Sequence, residues 1–215
     1  MDHARDLSTP HDAHHSPHSG AELSRRRALL LTGAGLTTLG VGGAFVGQRT
    51  AHATAPGAPE WVPAHRGNYT AAQRPSQYSI RYVVVHTTET PYATALRMFQ
   101  SSASEVSAHY VIRSRDGHVA QTVRERDVAW HAGNWEYNAR SIGIEHEGTV
   151  AHPERWFTSA MYTASAKLTA AVCRRYDIPV DRQHIIGHHE VPGADHTDPG
   201  GGWDWDRFLR LVRQG

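Results

Sequence analysis

The segment Gly187-His188-His189-Glu190-Val191-Pro192-Gly193-Ala194-Asp195-His196-Thr197-Asp198-Pro199-Gly200 gathers imidazoles and carboxylates in a Pro-Gly loop with little apolar surface to bury. Side chains of this kind suit a divalent cation, and the nitrogen and oxygen donors are those zinc accepts. His188 and Asp198 are the candidate ligands within the loop. A third candidate, His86, closes the apolar run Tyr82-Val83-Val84-Val85, so a buried strand would deliver its imidazole to the end of a sheet. Three protein ligands leave one tetrahedral position open to a water whose pKa falls to about 7 on zinc. A second acid, Glu145, sits in Ser141-Ile142-Gly143-Ile144-Glu145-His146-Glu147-Gly148. A carboxylate following Ile144 at the end of a central strand is costly to bury unless it is paired or functional. Taken singly, His86 reads as a histidine at a strand edge and Asp198 as a turn residue before Pro199; the combination is what points to chemistry.

These side chains need strands and helices to hold them. Ile80 to Val85 is β-branched and aromatic and reads as a strand, and Ala93 to Gln100 has helical spacing with Leu96 and Phe99 inward. His109 to Arg113 and His118 to Val123 read as strands joined across Ser114-Arg115-Asp116-Gly117, where Asp-Gly signals a hairpin. Ser141 to Gly148 alternates like a further strand. Ser159 to Tyr176 is the longest predicted helix, with Thr158 as N-cap, Met161, Leu168 and Val172 on its core face and Cys173 as a small core residue. Ile185 and Ile186 lead into the metal loop, and Asp204 to Val212 forms a closing helix. Strands alternating with a few helices predict a single α/β (mixed α+β) domain with a central mixed sheet flanked by helices.

The chain has 215 residues, room for one domain and extra segments. Residues 1–22 are polar and His-rich and cannot offset the entropy of ordering. Ser24-Arg25-Arg26-Arg27 then precedes an uncharged Ala/Gly/Leu/Thr/Val run reaching Val46 and the box Ala51-His52-Ala53. Paired arginines before a glycine-rich apolar run resemble a twin-arginine export signal, so residues 1–53 are expected to be a signal peptide, cleaved after Ala53 and less readily after Ala55. The alternative is a membrane-spanning anchor of about 19 apolar residues, against which the glycines and the A-x-A box argue. A secreted or wall-associated protein without a permanent anchor is expected. Residues 54–79, rich in proline, read as an extended lead-in pinned by Trp61, Tyr69 and Tyr78, and residues 80–215 as the functional domain. The lone Cys173 excludes an internal disulfide. Residues 1–53 hold five of the 22 basic and four of the 21 acidic side chains, leaving 17 of each beyond them. A neutral balance without a basic stripe argues against nucleic acid as a partner. No HExxH pattern is present, which excludes a helix-borne zincin protease.

The order His86 after an apolar strand, Val106-Ser107-Ala108-His109-Tyr110, Arg115-Asp116-Gly117, Ala129-Trp130-His131-Ala132-Gly133, Ser141 to Gly148 and Gly187 to Gly200 resembles the zinc-dependent N-acetylmuramoyl-L-alanine amidases of type 2, akin to the peptidoglycan recognition proteins. The likeness runs from about Tyr82 to Phe208. It implies cleavage of the amide between the lactyl group of N-acetylmuramic acid and the L-alanine of the stem peptide, in peptidoglycan or a muropeptide. It implies one zinc ion per chain, on His86, His188 and Asp198, and Glu145 as catalytic acid and base. Several members carry lysine where this chain has His196, which is expected to help stabilise the oxyanion as an N–H donor or cation. His109, Trp130, His131 and Asn134 have the polar and aromatic character of a sugar-peptide groove and are candidate substrate contacts. His146 and Glu147 are expected to support structure, as are His189 and Glu190. The chain is expected to act as a monomer. Two alternatives remain at this point: a recognition module that binds without cutting, and a zinc peptidase acting within the stem peptide.

Overall fold

The computed structural model describes residues 57–215. The expected signal peptide and its cleavage point after Ala53 lie outside the described residues. The strands are β1 (Glu60–Trp61), β2 (Tyr69–Thr70), β3 (Tyr82–Thr87), β4 (Tyr110–Ile112), β5 (Val119–Gln121), β6 (Val128–Ala129), β7 (Ser141–His146) and β8 (Ile185–Gly187). The helices are α1 (Tyr92–Gln100), α2 (Trp135–Arg140), α3 (Pro153–Trp156), α4 (Ser159–Tyr176) and α5 (Trp205–Gln214). Six strands form one mixed sheet in the order β1-β5-β4-β7-β3-β8, while β2 and β6 pair apart. The three strands β7, β3 and β8 run parallel, and β4 joins β7 in parallel and β5 in an antiparallel hairpin. Among the described residues no helix is long and apolar enough to cross a membrane.

Strand alternation divides the side chains between two faces. Val83, Val85, Ile142, Ile144 and Ile185 pack with Met161 and Phe208 under α4 and α5. Val84 and Ile186 face the other way, toward Ala132 and Val191. Helix α4 starts where expected, with Thr158 Oγ1 accepting from the Met161 N–H at 3.2 Å. Its small buried residues, Ser165, Ala166, Thr169 and Ala170, let it lie close to the sheet. Cys173 is a free, buried core residue.

Three expectations change. The hairpin strands are shorter than expected, spanning Tyr110–Ile112 and Val119–Gln121, with the Arg113 N–H donating to the His118 carbonyl and the Thr122 N–H to the His109 carbonyl just beyond their ends. Helices α2 and α3 and strand β6 carried no strong periodic signal and were not anticipated. The proline-rich segment is part of the domain rather than a lead-in to it. It supplies the edge strand β1 and strand β2, and it buries Arg74 at 5 % exposure. The Arg74 guanidinium donates to the carbonyls of Glu125, Asn138, Ala139 and Ser141, tying three separate stretches of chain together. Burial lowers its pKa to about 10, which still leaves it charged at neutral pH.

Candidate functional site

Parallel pairing brings the candidate residues to one end of one sheet face. His86 on β3 is the register partner of Glu145 on β7, and the register of β3 with β8, ending at Val85 opposite Gly187, delivers His188 just beyond the strand. Asp198 returns from the loop, its backbone carbonyl accepting from the His189 N–H at 3.1 Å. One ligand atom from each of His86, His188 and Asp198 lies within 4.8 Å of the others, and all three residues are buried. Asp198 Oδ2 sits 3.3 Å from His86 Nδ1 and accepts from the Thr87 N–H at 3.2 Å, and Oδ1 sits 3.0 Å from His188 Nδ1. Burial works to raise the Asp198 pKa, but its contacts with His188 and His86 overcome that and hold it well below the usual carboxylate range.

The hydrogen bonds behind His86 fix its tautomer. Ser141 Oγ donates to the Tyr137 carbonyl at 2.5 Å, so it is left to accept from His131 Nε2 at 3.1 Å. His131 Nδ1 then accepts from the His86 Nε2–H at 2.9 Å. His86 Nδ1 therefore keeps its lone pair, facing a carboxylate, and two such acceptors at 3.3 Å require positive charge between them. His188 Nε2 is also buried without a hydrogen-bond partner. Two imidazoles and a carboxylate converging this way fit a zinc ion. Burial lowers the His86 pKa and holds that of His131 well below the imidazole range, which keeps the rings neutral as metal ligation needs.

Glu145 stands beside this cluster with Oε2 shut away from solvent and unpartnered. Burial, with the charges of Asp198 and Glu89 added, pushes its pKa up to about 8. A group titrating near neutrality can both take and return a proton. His196 lies at the mouth, its side chain 62 % exposed, with its ring stacked on His188 at 4.4 Å and Nδ1 3.8 Å from Asp198 Oδ1.

The expected substrate contacts fare differently. His109 is fully buried, with Nδ1 accepting from the Gly143 N–H at 3.0 Å, so it holds strands together and cannot line a groove. His131 is a support for His86 rather than a surface residue. Its ring lies flat over β7, where a Cβ at position 143 would come within 2.5 Å of it, so Gly143 leaves the space the ring occupies. Asn134 caps α2 through its Oδ1 and donates from Nδ2 to the Pro192 carbonyl at 3.0 Å, so both ends of its amide are engaged in structure. Trp130 is half-buried, its Nε1–H donating to Thr70 Oγ1 at 3.0 Å. His146 points to the opposite face, donating to the His86 carbonyl and packing on Trp203. Glu147 accepts from the N–H groups of Tyr92 and Ser114. Sequence reasoning missed Ser141, Tyr137 and Asn138, whose Oδ1 accepts from the N–H groups of both His131 and Ala132. Nothing in their local pattern marks them.

Comparison with known proteins agrees with this geometry. The Amidase_2 family, described as N-acetylmuramoyl-L-alanine amidase, matches residues 76–201. N-acetylmuramoyl-L-alanine amidase A of Achromobacter lyticus is 36 % identical over 172 residues, covering 72 % of this chain and 93 % of the relative. The 1,6-anhydro-N-acetylmuramyl-L-alanine amidase AmpD of Escherichia coli (strain K12) is 41 % identical over 113 residues, 50 % of this chain and 58 % of AmpD, so the match spans little more than half of that relative. A solved selenomethionine derivative of AmpD superposes with a TM-score of 0.59 at 32 % identity, covering 72 % of this chain and 94 % of the other. The solved PlyG catalytic domain shares the fold, with a TM-score of 0.53 at 18 % identity, covering 74 % and 94 %. The buried His-His-Asp cluster, the carboxylate beside it and the match across residues 76–201 together place this chain in the N-acetylmuramoyl-L-alanine amidase family.

Proposed function

We propose that this chain is a secreted, zinc-dependent amidase that hydrolyses the bond between the lactyl group of N-acetylmuramic acid and the L-alanine of peptidoglycan stem peptides. The observation that carries the reading is the convergence of His86, His188 and Asp198 next to the unpartnered carboxylate of Glu145. His86, Asp198 and His188 would hold the zinc, which when bound supplies a Lewis acid and lowers the pKa of water. Glu145 takes a proton from the attacking water at one carboxylate oxygen and returns it to the departing alanine nitrogen. His196, mostly in solvent at the mouth, donates an N–H toward the oxygen that gains charge. His131, Ser141 and Tyr137 keep His86 in the tautomer that binds metal. Export rests on the arginine pair and apolar run preceding Ala53, and the chain is taken to act alone on wall polymer or muropeptide.

The test is digestion of purified peptidoglycan with and without a chelator, with products identified by mass spectrometry. Release of stem peptides beginning with a free L-alanine amine, abolished by chelation and restored by zinc, is the expected result. Release of an internal amine instead would make the chain a peptidase, and binding without release would make it a recognition module.

A further inference from the structure

A cavity of about 400 Å³ opens beside the edge strand β1, with Trp61, Arg66, Tyr69, Gln73, Arg124 and Arg126 on its walls. Two of its guanidiniums are laid on aromatic faces, Arg124 at 4.5 Å from the Trp61 ring centroid and Arg66 at 5.3 Å from that of Tyr69. Stacking of this kind fixes the plane of the guanidinium and leaves its N–H edge outward. Arg66 and Arg124 pair with no carboxylate among the described residues, whereas Arg126 reaches Asp127 only at 3.9 Å. Asp127 is the one acid on the wall, and its Oδ1 already accepts from the Ala72 N–H at 3.0 Å. The cavity is thus cationic, and Trp61 is 44 % exposed on a strand that has nothing on its outer side in the sheet.

Aromatic faces suit sugar rings, and oriented guanidiniums suit carboxylates. Resting on the amidase reading, the chemistry of the reaction says which ligand joins the two. Hydrolysis adds water across a neutral amide, leaving an ammonium on the departing peptide and a carboxylate on the lactyl group of the sugar. Every turnover therefore converts an uncharged stretch of glycan into an anionic one. We propose that the cavity between β1 and the Arg124–Arg126 loop binds glycan strand already stripped of its stem peptides, gripping lactyl carboxylates through Arg66 and Arg124 and a sugar ring through Trp61. A chain held this way stays on polymer it has cut while its active site samples adjoining stems.

The experiment measures binding of the full chain to purified glycan strands freed of stem peptides, beside the same strands methyl-esterified at the lactyl carboxyl and a polyol-phosphate polymer. Wild type is expected to bind the free-carboxylate strands with an affinity that falls as salt rises. The double variant Arg66→Gln, Arg124→Gln should lose about tenfold or more of that affinity, while hydrolysis of a small soluble muropeptide stays at the wild-type rate. Trp61→Ala, at an exposed position, should weaken binding to the strands without changing its salt dependence. Equal binding by the double variant, equal binding to esterified strands, or preference for the phosphate polymer would each overturn the proposal. Stripped strands contain no scissile amide, so a failure of the amidase reading shows separately, as wild-type protein that leaves the muropeptide intact.

Discussion

His86 and Glu145 are register partners on adjacent parallel strands, so the imidazole of the His86–His188–Asp198 cluster and the carboxylate beside it leave the sheet at one level of one face. Their separation is set by the sheet rather than by a loop. A group placed this way can act on a bound water without being a ligand. Glu145→Gln is expected to retain zinc and lose roughly 10²-fold or more in turnover, whereas Asp198→Ala should release the metal. Metal content by mass spectrometry beside muropeptide hydrolysis separates the two, and full activity in Glu145→Gln would remove that residue from the mechanism.

The same carboxylate gives a pH signature in the metal-free protein. Its folded pKa of about 8 stands above the ordinary 4.5, because burial disfavours the charge and Asp198 and Glu89 repel it. Between those values the folded state holds a proton that the unfolded chain has lost, so this group lowers stability as pH rises through the window. Glu145→Gln, neutral throughout, should gain on wild type by on the order of 1 kcal/mol or more from about pH 5 to about pH 8. Denaturant melts in the presence of a chelator read the difference, and parallel pH curves would show that the carboxylate is not held protonated.

His131 lies one hydrogen bond behind His86 of the His-His-Asp cluster, and Ser141 one behind His131. Ser141→Ala removes the acceptor that sets the His131 tautomer, and His131→Ala removes the acceptor that sets the His86 tautomer. Each is expected to weaken zinc binding by roughly 10-fold to 100-fold. Competition with a chromophoric chelator measures it independently of turnover. Unchanged affinity in both variants would mean that strand pairing alone fixes His86.

His196→Ala is expected to lower turnover by about tenfold or more while zinc content and zinc affinity stay at wild-type levels, since the residue is mostly in solvent and meets the cluster by stacking on His188, with Nδ1 3.8 Å from Asp198 Oδ1. Loss of metal in this variant would make His196 part of the cation site instead.

Arg74→Met should destabilise the fold by about 3–5 kcal/mol, because it leaves four buried carbonyls without their donor. Arg74→Lys should rescue little of this, since an ammonium cannot reproduce the fork that spans Glu125 and Ser141. Chemical denaturation followed by circular dichroism gives both values.

Much of this arrangement could be read along the chain, for definite reasons. Strand β3 and helix α4 have long apolar patterns, Thr158 is an N-cap by type, and a loop as polar as 187–200 has few explanations besides a cation. His109 and His131 misled because a histidine in a polar, aromatic motif has the same local pattern whether it faces a groove or a neighbouring strand. What decides is the packing across β4 and β7, where Gly143 makes room for the His131 ring and its N–H meets His109. Arg74 was hidden for a related reason, since the carbonyls it serves lie 51 to 67 residues further along the chain.

The position of Arg74 has a practical corollary for anyone moving this catalytic unit into another protein. The stretch matching the family, residues 76–201, begins two residues after that arginine and ends before α5, whose Phe208, Leu209 and Val212 are buried in the core. A transplant cut at those limits would carry every group of the reaction centre yet lack the cation and the apolar lid that hold the scaffold shut. The smallest portable unit is therefore wider at both ends than the stretch that defines its kinship, and fusions should be joined upstream of β1 and downstream of Gln214.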